Sequence, residues 1–168
     1  LVSQLSLTEA WKRYDIEKKT EKSETGMVSI KESEISDLQK QIEGISDLKT
    51  KISSISTTQL LNVLVAGALK VDASDIHFEP EETRARLRLR IDGLLTDAYF
   101  FDPKSYHQLN SRIKVLAGVL LNITDRAQDG RFTLDTEEKE IEMRASFIPG
   151  PYGESIVLRI LDPETTRV

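Results

Sequence analysis

Glu140-Ile141-Glu142-Met143-Arg144-Ala145-Ser146-Phe147-Ile148 and Ser155-Ile156-Val157-Leu158-Arg159-Ile160-Leu161, joined by Pro149-Gly150-Pro151-Tyr152-Gly153-Glu154, decide how this chain folds. Met143, Ala145 and Phe147 form one apolar set, and Ile156, Leu158 and Ile160 form another. Only a hairpin pairing 143 with 160, 145 with 158 and 147 with 156 buries both sets on one face, because a one-residue slip turns one of them outward. That register puts Arg144 directly opposite Arg159 on the other face. Two facing arginines repel by a few tenths of a kcal/mol up to about 1. Either an anion sits between them, for which guanidinium forks suit phosphate or carboxylate, or Glu142 or Glu140 neutralises them; the residues leave both readings open.

Working outward, Arg84, Arg86, Arg88 and Arg90 alternate with Ala85, Leu87, Leu89 and Ile91, the clearest strand pattern in the chain. Asp92-Gly93 is a tight-turn signal, and residues 94–101 return as the hairpin partner. Asp75, His77 and Glu79 alternate with Ile76 and Phe78 in a shorter strand. Asp102-Pro103 supplies an N-cap and an N1 proline for a helix carrying Leu109, Ile113 and Leu116, with Gly118 at its C′ position. A loop is expected at 121–130, ending in Gln128-Asp129-Gly130-Arg131, with further strands near 131–135, 140–148 and 155–161. Ser56-Thr57-Thr58-Gln59 reads as a capping box for a helix presenting Leu60, Leu61, Leu64, Val65, Ala68 and Leu69. A strand meander with helices on one face makes this an α+β domain with an antiparallel sheet.

Residues before 57 differ in character: all five Phe lie after Ser56, while the first part is rich in charge, Ser and Thr. Ser6-Leu7-Thr8-Glu9 opens a short helix through Trp11 and Tyr14, and residues 17–29 read as linker. Ile35, Leu38, Ile42 and Ile45 form a narrow seam that slips at Gly44, continuing with Leu48, Ile52 and Ile55. One helix or two meeting at Gly44 fit equally. A helix lying on its own domain is favoured over a coiled-coil dimer stem, since clean heptads are too few.

The chain has 168 residues, 23 Lys+Arg against 28 Asp+Glu, 39% hydrophobic residues, no Cys and one Trp. A soluble chain of this size buries roughly 68–70% of its unfolded surface, enough for one core with an appendage. Zero Cys excludes disulfides and thiolate metal sites. No apolar run approaches the roughly 18 residues a membrane helix needs, and the start at Leu1 rather than Met suggests an excerpt. The net charge of −5 argues against nucleic acid as a partner, and the four-arginine strand lacks stacking aromatics on its own residues. Nearby Glu79, Glu81, Glu82, Asp92 and Asp97 make that strand the wet face of a sheet rather than a phosphate track. His77 between Asp75 and Glu79 is read as a hydrogen-bonded structural histidine, because His107 is the only other His and a metal site needs three or four ligands. No metal site and no catalytic group are assigned. The eight glycines never form G-x-x-x-x-G-K-[ST], so there is no P-loop.

Five motifs in order carry a resemblance: Ala73-Ser74-Asp75-Ile76-His77-Phe78-Glu79-Pro80; Leu89-Arg90-Ile91-Asp92-Gly93; Ser111-Arg112-Ile113-Lys114-Val115-Leu116-Ala117-Gly118; Gln128-Asp129-Gly130-Arg131; and Arg144-Ala145-Ser146-Phe147-Ile148-Pro149 through Gly153-Glu154 to Val157-Leu158-Arg159-Ile160-Leu161-Asp162. Together they resemble the assembly ATPases of type IV pili and type II secretion, within the secretion-ATPase superfamily. The resemblance implies a remnant of an upstream domain and linker at 1–30, a helical linker at 31–56, a PAS-like second N-terminal domain at 57–163, and at 164–168 the start of a linker to an absent RecA-like ATPase domain bearing the P-loop. It implies a regulatory, nucleotide-sensing domain of a hexameric motor that uses ATP and Mg²⁺, is cytoplasmic and peripheral at the inner membrane, and works with a membrane platform protein. This chain alone would not be an enzyme. Arg144 and Arg159 match the arginines that reach the ATP phosphates in that family, with Arg131 and Arg112 as lesser nucleotide or interdomain contacts. Ala127 stands where the family usually has Pro. The rival reading is a stand-alone PAS-like adaptor binding a small anion or an acidic partner.

Overall fold

The computed structural model describes residues 27–29, 57–135 and 140–161. The helical seam at 31–55, the capping serine at 56, the helix near 6–14 and the tail after 161 lie outside these residues. Along the described chain the elements are β1 (Met27–Ser29), α1 (Thr57–Lys70), β2 (Asp75–Pro80), β3 (Ala85–Ile91), β4 (Leu94–Phe101), α2 (Pro103–Leu116), β5 (Gln128–Asp135), β6 (Glu140–Gly150) and β7 (Gly153–Leu161).

One sheet runs in the order β1-β5-β6-β7-β2-β3-β4. Strands β2 to β7 pair antiparallel throughout. The fold is therefore α+β, as the meander pattern implies. β2 is the joint between the two halves of the sheet, pairing with β3 on one side and β7 on the other. The hairpin register falls where the apolar sets require it, with Met143 opposite Ile160, Ala145 opposite Leu158 and Phe147 opposite Ile156.

Three local expectations change. The six-residue connection expected at 149–154 tightens, because Pro149 already pairs with Glu154 and Gly150 with Gly153. β5 begins at Gln128 rather than after Gly130, with Gln128 opposite Phe147 and Gly130 opposite Ala145. Asp-Gly composition reads locally as a turn, but pairing to β6 overrides that preference. Within the stretch read as linker, Met27–Ser29 adds a short strand parallel to β5, with Met27 opposite Thr133. An unpaired sheet edge offers its N–H and C=O groups to any extended segment nearby.

Ile76, Phe78, Leu87, Leu89, Leu134, Met143, Phe147, Ile156 and Leu158 are buried on one face of the sheet, in one cluster with Leu61, Leu64 and Val65 of α1 and Leu109 and Ile113 of α2. Both helices thus cover the same face. Asp102 caps α2 by accepting from the N–H groups of Lys104 and Ser105, each at 3.0 Å, and Pro103 follows at the first helical position. Asp92 and Gly93 both have positive φ, 50° and 79°, the pair a two-residue type I′ turn needs between β3 and β4. The opposite face of the sheet carries no helix among the described residues, and Asp75, His77 and Glu79 of β2, the arginines of β3, Arg131, Arg144 and Arg159 lie there.

Candidate functional site

The register of five strands builds a charged row across this open face. Arg131 on β5 lies opposite Arg144 on β6, Arg144 opposite Arg159 on β7, Arg159 opposite Asp75 on β2, and Asp75 opposite Arg90 on β3. With neighbouring strands about 4.8 Å apart, the three successive arginines span about 10 Å. The side chains of Arg144 and Arg159 are each 65% exposed, and Arg131 is exposed as well.

Among the described residues no carboxylate occupies the row between Arg131 and Arg159. Arg144 Nε reaches Glu142 Oε1 only at 3.4 Å, on a carboxylate that is itself 40% exposed. An exposed contact of that length is worth little. Neutralisation by Glu142 is thus weak, while Arg159 finds a partner that the hairpin alone does not reveal: its Nε donates to Asp75 Oδ1 at 2.9 Å. Asp75 Oδ2 accepts from Ser74 Oγ at 2.8 Å and lies 3.2 Å from Arg90 Nε. Burial opposes ionisation of Asp75, yet the bonds from Arg159 and Ser74 and the charges of Arg159 and Arg90 outweigh it and hold the carboxyl below its ordinary value.

The other arginines of β3 and its flank are engaged. Arg84 pairs with Glu81, Arg86 with Glu79 and Glu81, and Arg88 with Glu79 and Asp97. This strand is a laced wet face, as its alternation with nearby carboxylates implies. His77 lies on the same face, opposite Arg88 and Val157, but its buried Nε2 has no hydrogen-bond partner among the described residues. Of the hydrogen bonding expected for a structural histidine, none is made at that nitrogen among the described residues. Burial keeps its pKa below the ordinary value, with Arg90 and Arg88 reinforcing and Asp75 and Glu79 opposing. Among the described residues no group of three or more His, Cys, Asp or Glu could hold a metal ion.

The Gln128-Asp129-Gly130-Arg131 segment acquires a physical meaning residue by residue. Gln128 Nε2 donates to the carbonyls of Leu120 and Ile123 at 3.0 and 2.9 Å, and its Oε1 accepts from Leu120 N–H, so this one side chain ties down the preceding loop. Asp129 Oδ1 accepts from Ser146 Oγ at 2.6 Å across the strand pair. A Cβ on Gly130 would collide with the Ala117 carbonyl and stand 2.8 Å from the Ala117 Cβ, so the strand passes directly under the end of α2. Arg131 then enters the row. Arg112 does not: α2 lies over the apolar face, on the other side of the sheet.

Beneath α2 lies a second polar feature, not anticipated from the sequence. Lys114 and Glu154 are 1% and 4% exposed. They form an ion pair of 2.7 Å. Lys114 Nζ also donates to the Ile123 carbonyl at 2.6 Å, and Asn110 Nδ2 donates to Glu154 Oε2 at 3.2 Å. The Tyr106 hydroxyl donates to the Glu154 backbone carbonyl, and burial, with the nearby Glu154 charge, pushes its pKa up. The signal was present as phase. Tyr106, Asn110 and Lys114 repeat every four residues on one helix face, and Glu154 falls in step with Ile156 and Leu158, on the buried side of β7. These residues border a pocket of about 410 Å³ between α2 and the β6–β7 turn. The charges are spent on each other, which fits a clamp fastening helix to hairpin.

The row of exposed arginines presents guanidinium groups whose chemistry suits an anion. Residues 51–168 match the family described as Type II/IV secretion system protein. The chain is 40% identical over 126 residues to a type II secretion system protein E of Xanthomonas campestris pv. campestris, covering 74% of this chain and 21% of that protein. It is 31% identical to the type IV pilus assembly ATPase PilB of Myxococcus xanthus over 169 residues, 100% of this chain and 30% of that protein. With the type II secretion system ATPase E of Vibrio cholerae it shares 36% identity over 110 residues, 66% of this chain and 22% of the other. The chain thus spans less than a third of the length of these relatives.

Proposed function

The chain belongs to the type II/IV secretion system protein family, and from that premise we propose that it is the nucleotide-sensing N-terminal part of a motor ATPase powering type IV pilus assembly or type II secretion. The observation that carries this reading is the row Arg131, Arg144, Arg159, three exposed cations in register with no carboxylate between them among the described residues. Such a row is unfavourable by itself and favourable once a polyanion lies against it.

ATP, held by a P-loop in a RecA-like domain of the same protein, supplies that polyanion. Arg144 and Arg159 present guanidinium forks to its terminal phosphates, with Arg131 as the next contact along the row. In phosphoryl transfer the negative charge spreads over the equatorial oxygens, and a guanidinium aligned with them lowers the barrier without taking a proton. Placing the arginines on a domain separate from the P-loop makes hydrolysis depend on how the two domains close, which is what a motor requires. Mg²⁺ comes with the nucleotide and the ATPase domain.

In this reading the working unit is a homo-hexamer in the cytoplasm, peripheral at the inner membrane and docked to a platform protein there. By itself the 168-residue chain does not hydrolyse ATP. ATP turnover by the full-length protein, with and without the arginines of the row, tests the proposal.

A further inference from the structure

Arg144 and Arg159 face one another, but they are held very differently. Arg159 is anchored at its base, where Nε donates at 2.9 Å to Asp75 Oδ1, on a side chain only 5% exposed, while the arginine side chain stays 65% exposed. Among the described residues no partner is recorded for its terminal nitrogens. Asp75 is fixed in turn, through Ser74 Oγ at 2.8 Å and Arg90 Nε at 3.2 Å on its other oxygen. Arg90 is tied as well, its Nη1 donating to the Gly93 carbonyl at 3.1 Å. Among the described residues Arg144 has only its 3.4 Å approach to Glu142.

We propose that Asp75 is a positioning residue that grips Arg159 by Nε and leaves its terminal nitrogens as a fixed fork for phosphate, with Ser74 and Arg90 holding the carboxylate in place. This rests on the reading of the arginine row as a phosphate contact. A long side chain free to sample many rotamers must be ordered before it can bind, and an arginine clamped at Nε is ordered in advance. The carboxylate lies at the end of the row, beyond Arg159, so it orders the fork without filling the gap that an anion would occupy. Lysine cannot substitute here: its single ammonium cannot hold Asp75 through one nitrogen and offer two others to an anion. Arg159 is accordingly the preset member of the pair and Arg144 the adaptable one.

The first test is independent of turnover. In the 168-residue chain, hydrogen exchange at each arginine Nε, followed by ¹⁵N NMR, should be slower at Arg159 than at Arg144, and Asp75→Asn should abolish the difference. Equal exchange in the unsubstituted chain overturns the proposal. The second uses the full-length ATPase. Asp75→Asn should lower kcat roughly 10-fold, leaving KM for ATP near that of the unsubstituted protein while lowering the melting temperature, and should add nothing to the kcat loss when combined with Arg159→Ala. Normal kcat in Asp75→Asn, or losses that simply add, overturns the positioning role while the phosphate reading stands. Normal kcat in Arg159→Ala sinks both. If Asp75→Asn fails to fold, Arg159→Lys on the exposed side chain serves instead: it should lose about as much turnover as Arg159→Ala, and near-normal turnover overturns the proposal.

Discussion

Arg144 and Arg159 stand directly opposite each other across β6 and β7, each with 65% of its side chain in solvent. Arg144 also faces Arg131 on its other side, so it is a cation flanked by cations. Its replacement by Ala in the 168-residue chain should raise unfolding free energy by about 0.5 kcal/mol, within the usual range for a like-charge cross-strand contact. Urea denaturation at low salt measures this, and the gain should shrink as salt screens the repulsion. A loss of stability would mean that Arg144 serves the fold and not a ligand.

Gly130 should tolerate no side chain. A Cβ there meets the backbone and side chain of Ala117 at the end of α2, neither of which can yield without moving the helix. Gly130→Ala should cost about 1–3 kcal/mol, as overpacking does elsewhere. A shift in the urea midpoint, with an unchanged denaturant dependence, checks it.

The buried Lys114–Glu154 pair should behave asymmetrically. Lys114→Met alone strands a carboxylate that is 4% exposed, and Glu154→Gln alone strands the ammonium. Each should cost about 3–5 kcal/mol, whereas replacing both by apolar residues should cost much less. A double-mutant cycle on unfolding free energy reads the coupling.

Much of this was legible. The 143–160, 145–158 and 147–156 pairings followed from two apolar sets that only one register buries, and the α2 boundaries followed from Asp102, Pro103 and Gly118. What escaped was tertiary. Asp75 and Arg159 are 84 positions apart, and nothing local shows that β2 would lie beside β7. Gln128-Asp129-Gly130 has the composition of a turn and is held as strand only because Ala145, Ser146 and Phe147 pair with it. Lys114 and Glu154 are charged residues in core phase, a pattern that marks a buried pair once both phases are read together. Arg112 sits in a motif shared with the family resemblance, yet it occupies the helix-bearing side of the sheet.

His77 supplies a pH dependence with a definite sign. Its folded pKa is below the ordinary 6.5, so the unfolded chain takes up the proton first. Stability should be level above about pH 6.5 and fall as the pH drops from there toward the folded value. His77→Gln should flatten that part of the curve relative to the unsubstituted chain. Asp75 acts lower down: its contribution is complete above its ordinary 3.8 and is lost as the pH falls through its depressed folded value. Urea midpoints at pH 7.5, 6.5, 5.5 and 4.5 follow His77, and further points at pH 3.5 and 2.5 follow Asp75.

Steady-state ATP hydrolysis by the full-length protein carrying Arg144→Ala or Arg159→Ala decides whether the arginine row works on nucleotide. Each substitution should reduce turnover by about 10-fold or more, as loss of a phosphate-stabilising arginine does, with melting temperature and assembly unaltered. Turnover at the unsubstituted rate in both variants would contradict the assignment and return the row to the surface of the sheet as an unused patch of charge.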